Sequence, residues 1–171
     1  TKTATLEAGN TVTLKLNSST IISFSGTSGG IVNNGKLTIS GNSGTITASG
    51  KNTITNNSDG VLNVNKAVLK NTETLTSNTT AKGKVIYNAG TCTCSNSTTI
   101  TSNYRGVENS ATGILTINSC TITSKEYAVL NRTTSSSTAG VTITGSSKVT
   151  INDTASTESS SNSAVYNYST G

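Results

Sequence analysis

A three-residue motif recurs along this chain: an aliphatic residue, one variable residue and an asparagine. Its copies are separated by 23, 32, 21, 22 and 36 residues. A motif that returns at such intervals is typical of solenoids, in which each repeat forms one structural coil. The most complete repeat is Arg105–Thr123, where the motif is followed by a glycine turn and two alternating runs. The motif asparagines are Asn33, Asn56, Asn88, Asn109, Asn131 and Asn167.

Alternating apolar residues follow each motif and predict short strands. In the complete repeat the first run is Leu115-Thr116-Ile117, and the second is Cys120-Thr121-Ile122-Thr123. Side chains alternate between the two faces of a strand, so the leucine and isoleucine of the first run point inward and its threonine points outward. The pattern predicts an all-β fold, a parallel β-helix (β-solenoid) with three short strands per coil and about six to seven coils.

The composition favours a thin core over a globular one. Serine, threonine and asparagine make up about half of the 171 residues, and only 31% of the chain is hydrophobic. A disordered polar chain is also poor in hydrophobic residues. However, charged residues are only 11% of this chain, and its aliphatic residues recur at alternate positions, as strands require.

The motif divides the chain into two regions. Residues 1–29 lack it and are predicted to form an N-terminal cap or an irregular first coil, with strands at Thr11–Leu16 and around Ile21–Phe24. Residues 30–171 carry the repeats and stop in mid-repeat, which indicates part of a longer protein. Three polar stretches are predicted to leave the solenoid as loops at its corners: 70–84, 132–139 and 152–163.

The motif asparagines are predicted to form a structural ladder. Stacked in register, each side-chain amide can donate to the carbonyl oxygen of the asparagine one coil further on. A row of polar binding residues is the competing interpretation. The ladder is favoured because a buried asparagine needs hydrogen-bond partners, and its own copies supply them.

The three cysteines are predicted to be core residues. Cys92 and Cys94 occupy positions that hold leucine and isoleucine in other coils, and Cys120 replaces alanine or an aliphatic residue. A disulfide between Cys94 and Cys120 stays open as an alternative. The chain has no histidine, so three cysteines make a poor zinc site. No catalytic residue, cofactor site or metal site is predicted.

Five charged residues around the complete repeat are the candidate surface contacts. Glu108 and Glu126 fall near corresponding positions of adjacent coils and have basic neighbours. Carbohydrate-active β-helix enzymes need clustered carboxylates for calcium or for acid–base chemistry. No aspartate lies near this pair, so a solvated ion-pair patch is the favoured interpretation. The candidates are Arg105, Glu108, Lys125, Glu126 and Arg132.

The charge and the hydropathy of the chain indicate which kinds of partner are not expected. The net charge is +5, and the twelve basic residues are spread singly along the chain. Nucleic-acid binding favours a clustered basic patch, so no nucleic-acid partner is expected. No apolar run is long enough for a transmembrane helix, so no membrane insertion is expected.

Threonine pairs separated by one residue raise the alternative of an ice-binding solenoid. The pairs are predicted to come from different strands of the coil, and the coil lengths vary, so a flat registered face is not expected. The pairs are Thr45/Thr47, Thr53/Thr55, Thr91/Thr93, Thr99/Thr101, Thr121/Thr123 and Thr142/Thr144.

The segments Gly106–Ile117 and Ala164–Gly171 resemble the right-handed parallel β-helix (pectate-lyase-like) repeats of bacterial surface and adhesin-like proteins. The resemblance covers residues 30–171, and it supplies the right-handedness. It implies a secreted or cell-surface protein. No catalytic residue of the lyases can be matched onto this chain.

These observations predict a non-enzymatic surface module, an adhesin or stalk that binds glycans or host or bacterial surface proteins, or that forms fibres. A carbohydrate-active enzyme of the polysaccharide lyase or hydrolase kind is the first alternative, and ice binding is the second. The exposed strand edges of an open solenoid also predict end-to-end self-association.

Overall fold

The chain folds into a parallel β-solenoid. The computed structural model describes residues 3–26, 29–73, 83–110, 112–133, 140–152 and 162–168. Within these residues nineteen strands form three parallel sheets and there is no helix. Sheet A contains β1 (Ala4–Leu6), β4 (Ile31–Asn33), β7 (Ile54–Asn56), β10 (Lys84–Asn88), β13 (Arg105–Asn109), β16 (Tyr127–Asn131) and β19 (Ser163–Asn167). Sheet B contains β2 (Thr11–Leu16), β5 (Lys36–Gly41), β8 (Val61–Asn65), β11 (Thr91–Ser95), β14 (Ile114–Asn118) and β17 (Gly140–Thr144). Sheet C contains β3 (Ile21–Phe24), β6 (Thr45–Ala48), β9 (Val68–Asn71), β12 (Thr99–Ser102), β15 (Thr121–Ser124) and β18 (Lys148–Ile151).

Every coil contributes one strand to sheets A, B and C in turn. Each strand pairs in parallel with its equivalent one coil later, as Leu62 does with Cys92 and Cys92 with Leu115. Sheets B and C each have six strands, and β19 adds a seventh to sheet A. The predicted parallel β-solenoid with three strands per coil is therefore confirmed. At about 4.8 Å per coil, six coils form a rod about 30 Å long.

The core is a thin stack of alternate side chains, as predicted. In sheet B, Leu115 and Ile117 are buried, whereas Thr116 between them is partly exposed. In sheet C the inward residue is the middle one of each threonine pair, for example Ile100 or Ile122, both fully buried. β-Branched residues suit the pleated surface on both faces, which explains why threonine dominates the outward positions.

The corner between sheets B and C contains one or two residues with positive φ in five of the six coils. Short polar residues and glycine tolerate this left-handed conformation best, which accounts for the serine, asparagine and glycine in these turns. The residues with positive φ in these turns are Ser43 (68°), Lys66 (54°), Asn96 (52°) with Ser97 (63°), Ser119 (55°) and Gly145 (61°).

Residues 1–29 include the first coil. The predicted strands are β2 and β3, and β1 adds a third that the sequence did not predict. All three pair in register with the next coil. This coil is less buried than the central coils, because its inward residues Leu14, Ile22 and Phe24 are only partly buried. No helix among the described residues is long and apolar enough to span a membrane.

Candidate functional site

The motif asparagines form one continuous ladder, as predicted. Each Nδ2 donates a hydrogen bond to the Oδ1 of the asparagine one coil further on. The first four ladder asparagines, Asn33 to Asn109, are fully buried. The bonds are Asn33 to Asn56 (2.7 Å), Asn56 to Asn88 (2.8 Å), Asn88 to Asn109 (2.7 Å), Asn109 to Asn131 (3.1 Å) and Asn131 to Asn167 (2.7 Å).

The ladder also fixes the corner between sheets A and B. Asn109 Nδ2 donates to the carbonyl oxygen of Gly113 at 2.8 Å, and Asn88 Nδ2 donates to that of Gly90 at 3.0 Å. A Cβ atom at Gly113 would overlap the Asn109 side chain, so the glycine that follows the motif is required by close approach. The side-chain amides of the motif asparagines are thus used in hydrogen bonds that hold the coils together.

The variable residue of the motif faces outward and forms a row on sheet A. In the second and third coils this residue is Val32 and then Thr55, both small. From the fourth coil onward the row changes to large side chains. They are Tyr87, Glu108, Leu130 and Tyr166, one in each successive coil.

Glu108 lies at the centre of an ion-pair network. Its Oε2 is 2.9 Å from Arg105 Nη1 and 3.5 Å from Lys84 Nζ, and its Oε1 is 3.7 Å from Arg132 Nε. Its side chain is only 8% exposed. A buried carboxylate needs such partners to offset the loss of hydration. Arg105 also binds Glu126, with Nε 3.1 Å from Oε2.

Four of the five residues predicted as surface contacts therefore belong to one ion-pair network, and the fifth does not. Arg105, Glu108, Glu126 and Arg132 share the network, whereas Lys125 is exposed and pairs with no charged residue in the described part of the chain. Lys84, which the sequence did not single out, joins instead. Glu108 is buried rather than solvated, because cations from the coils before and after it cover its carboxylate.

Tyrosine rings extend the network along sheet A. Arg105 lies over Tyr104, 4.6 Å from the ring centroid, and over Tyr127 at 5.2 Å. The Tyr127 ring stacks on Tyr166 with centroids 5.1 Å apart and an interplanar angle of 27°. Burial raises the pKa of the Tyr104 hydroxyl, the Arg105 charge opposes the rise, and Glu126 adds to it. Tyr104 therefore stays protonated and neutral across the physiological pH range.

The outermost part of the network is Arg132 with two tyrosines. The Arg132 guanidinium lies 5.6 Å from the Tyr168 centroid, and that ring tilts against Tyr166 with centroids 6.4 Å apart. Arg132 and Tyr168 are about half exposed. We call the whole surface the Tyr–Arg patch: Lys84, Tyr87, Tyr104, Arg105, Glu108, Glu126, Tyr127, Leu130, Arg132, Tyr166 and Tyr168.

The tyrosines were not predicted as surface contacts, although the variable position of the motif indicated them. The variable position is small in the first two copies and then becomes tyrosine, glutamate, leucine and tyrosine. All five tyrosines and both arginines of the chain belong to the patch. The outer rows of sheets B and C are mostly threonine, serine and asparagine instead.

The three longest connections between the described strands each begin or end at sheet A next to the patch. They join β9 to β10, β16 to β17 and β18 to β19. The predicted loops at 70–84, 132–139 and 152–163 fall on these connections, although residues 74–82, 134–139 and 153–161 lie outside the described residues. Long connections on one face of a repeat array often mark its binding face.

The three cysteines lie inside the core, as predicted. All three are free thiols, so the alternative disulfide between Cys94 and Cys120 is not formed. Cys92 and Cys94 are fully buried in register with Leu115 and Ile117 of the next coil. Burial and, to a smaller extent, the neighbouring Cys94 raise the pKa of Cys120 to about 11, so its reactive thiolate is scarce. No group of three or more metal-ligating side chains occurs within the described ranges.

The threonine pairs come from strands of different sheets, as the sequence predicts, and in the described part of the chain only those of sheet C are partly registered. Three of the six pairs lie on sheet C and face outward. Two of these follow one another in adjacent coils, with Thr99 opposite Thr121 and Thr101 opposite Thr123. The coil before them carries Val68 and Lys70 at these positions, so the rows are interrupted. The remaining pairs lie on or beside strands of sheets A and B.

Comparison with known proteins adds no family to this geometry. A scan against protein-family models, a search of curated proteins and a search of solved structures each returned no match. The right-handedness, the pectate-lyase-like origin and the bacterial adhesin origin therefore stay predictions that rest on the resemblance of the repeats. The structure by itself shows a parallel β-solenoid, and the Tyr–Arg patch is its distinctive surface.

Proposed function

We propose that this chain is a non-enzymatic, extracellular binding module, an adhesin or stalk segment that contacts its ligand through the Tyr–Arg patch. One observation carries the proposal: all five tyrosines and both arginines lie on the strands of sheet A or directly beside their ends. Nothing in the packing of a solenoid core requires this, since the core is built from the inward residues.

The composition of the patch suits recognition. Tyrosine and arginine are enriched at the energetic centres of interfaces, because each offers a large contact area together with directional polar groups. Tyrosine loses little conformational entropy on binding, since it has only two side-chain torsions. Threonine and serine, which cover the other sheets, contribute much less per residue.

The carboxylates of the patch support a binding role over catalysis. Arg105 Nη1 donates to Glu108 at 2.9 Å, and Arg105 Nη2 donates to Glu126 at 3.2 Å. A glycoside hydrolase needs two carboxyl groups that face the substrate from either side of the scissile bond. Here both carboxylates are directed at the same guanidinium, and Glu108 is covered.

The test is a double substitution, Tyr166→Ala with Tyr168→Ala, matched by Thr116→Ala with Thr142→Ala on the outer face of sheet B. The wild-type chain is first screened on a glycan array and on immobilised surface proteins. Loss of the hits in the tyrosine variant, with the threonine variant unaffected, supports the patch. Equal binding by both folded variants would refute it.

Sheet C suggests a second candidate function, ice binding. Its registered threonines stand about 4.8 Å apart between coils and about 6.6 Å apart within a strand, and β-branching holds each hydroxyl in few rotamers. Thermal hysteresis of the wild-type chain tests this. Activity that Thr99→Lys with Thr121→Lys removes, and that Thr116→Lys leaves intact, would favour it over the patch.

A further inference from the structure

We infer that the ligand of the Tyr–Arg patch is an acidic carbohydrate, whose ring stacks on Tyr168 while its carboxylate or sulfate group binds Arg132. This rests on the proposed function and adds the ligand class. The two side chains lie together, with the guanidinium 5.6 Å from the ring centroid. Both are about half exposed, which leaves surface for a ligand.

The size of the patch favours a carbohydrate over a protein partner. The patch spans four coils, about 14 Å along the rod, and strands of five residues, about 17 Å across. The strand segments beneath the patch thus outline about 240 Å², whereas a standard protein interface buries about 800 Å² on each partner. A ligand of a few sugar rings covers a surface of this size.

The charges of the patch favour an anionic group. Lys84, Arg105 and Arg132 outnumber the two glutamates, and the whole chain carries a net charge of +5. Within the patch, Arg105 uses its donors on both glutamates. A ligand anion therefore meets no uncompensated carboxylate there.

Arg132 is the cation placed to receive that anion. Its described side-chain contacts are the long 3.7 Å approach to Glu108 and the face of Tyr168. A guanidinium binds carboxylate or sulfate groups with two parallel hydrogen bonds, and stacking on a ring holds its plane in place. Ring and anion are thus recognised by adjacent groups.

The patch supplies its own optical probe. The chain has five tyrosines and no tryptophan, and every tyrosine lies in the patch, so intrinsic fluorescence reports this surface alone. The whole chain is titrated with sialyllactose, with a sulfated lactose and with neutral lactose. The variants are Arg132→Gln, Tyr168→Ala and the control Lys15→Gln. The control removes one charge at an exposed position of sheet B. Circular dichroism verifies that each variant is folded.

The expected result is binding of at least one acidic sugar about tenfold or more tighter than lactose, because a charge-assisted hydrogen bond is lost with the neutral sugar. Arg132→Gln removes that preference, Lys15→Gln keeps it, and Tyr168→Ala weakens all sugars. Which acidic sugar binds tells carboxylate from sulfate recognition.

Two outcomes overturn the inference. In the first, lactose binds as tightly as the acidic sugars, or Arg132→Gln keeps the preference for acidic sugars as Lys15→Gln does. If Tyr168→Ala still abolishes that binding, the proposed function stands and only the acidic ligand is wrong. In the other, no sugar changes the fluorescence and the patch variants lose a protein ligand instead, which makes the partner a protein.

Discussion

The asparagine ladder makes a sharp prediction at Asn88, in the middle of the rod. Its Nδ2 donates to Asn109 at 2.7 Å and to the carbonyl oxygens of Gly90 and Ile114 at 3.0 and 3.2 Å. Its Oδ1 accepts from Asn56 at 2.8 Å. Asn88→Ala removes all four bonds inside a site with no solvent exposure.

Most of the stability lost in Asn88→Ala comes from buried polar groups that lose their hydrogen-bond partner. Asn56 keeps two carbonyl acceptors for its amide, those of Gly60 and Thr91. Asn109 Oδ1, however, loses its ladder donor while still buried, which costs about 1–3 kcal/mol. With the bonds lost by Asn88 itself, we expect a loss of about 3 kcal/mol, or about 6–12 °C in melting temperature for a chain of this length.

The matched control is Asn63→Ala, in the coil before Asn88. Asn63 occupies the outward row of sheet B between Thr38 and Thr93 and is partly exposed, so its replacement should cost no more than about 0.5 kcal/mol. Urea unfolding followed by far-UV circular dichroism gives both values. Hydrogen exchange should show the lost protection centred on the coils that contain Asn56, Asn88 and Asn109. Equal losses in the two variants would mean that the ladder adds nothing to stability.

Two further predictions concern the core. Ile117→Asp puts an unpaired charge into a fully buried position and should cost more than about 4 kcal/mol, whereas Thr116→Asp beside it should be tolerated; unchanged far-UV dichroism and melting of the first variant would contradict the inward assignment. The pKa of Cys120 is raised by burial from 9.0 to about 11, so the unfolded chain loses this proton at lower pH than the folded chain. Stability should be unaffected by this thiol below pH 9 and fall between pH 9 and 11, and a Cys120→Ala variant should show a smaller fall in its urea midpoint.

The repeat pattern predicted the architecture because the inward residues show both periods. They alternate along each strand, and they return once per coil. Leu115 and Ile117 alternate, and Asn109 returns once per coil, so registering the copies already gives the sheets and the ladder. β1 was missed because its coil carries Leu6 where the next has Asn33. Without the asparagine, three residues give too little alternation to be recognised.

The ion-pair network was only partly predictable, because its members come from coils of different length. Glu108 meets Lys84 from the coil before and Arg132 from the coil after. The intervals between motifs range from 21 to 36 residues, so sequence spacing alone does not align these side chains. The burial of Glu108 follows from that alignment, and residue type argues against it.

The patch also behaves differently from an ordinary outward surface, and this bears on how it binds. Leu130 faces outward in the row between Glu108 and Tyr166, yet it is only 1% exposed. The patch therefore forms a packed layer of its own outside the sheet, held by the ion pairs to Glu108 and by stacked rings. Side chains that are already ordered lose little conformational entropy when a ligand arrives. The core and the ladder are built from inward residues, so this layer is a separate set of packing contacts on the outer face of the same coils.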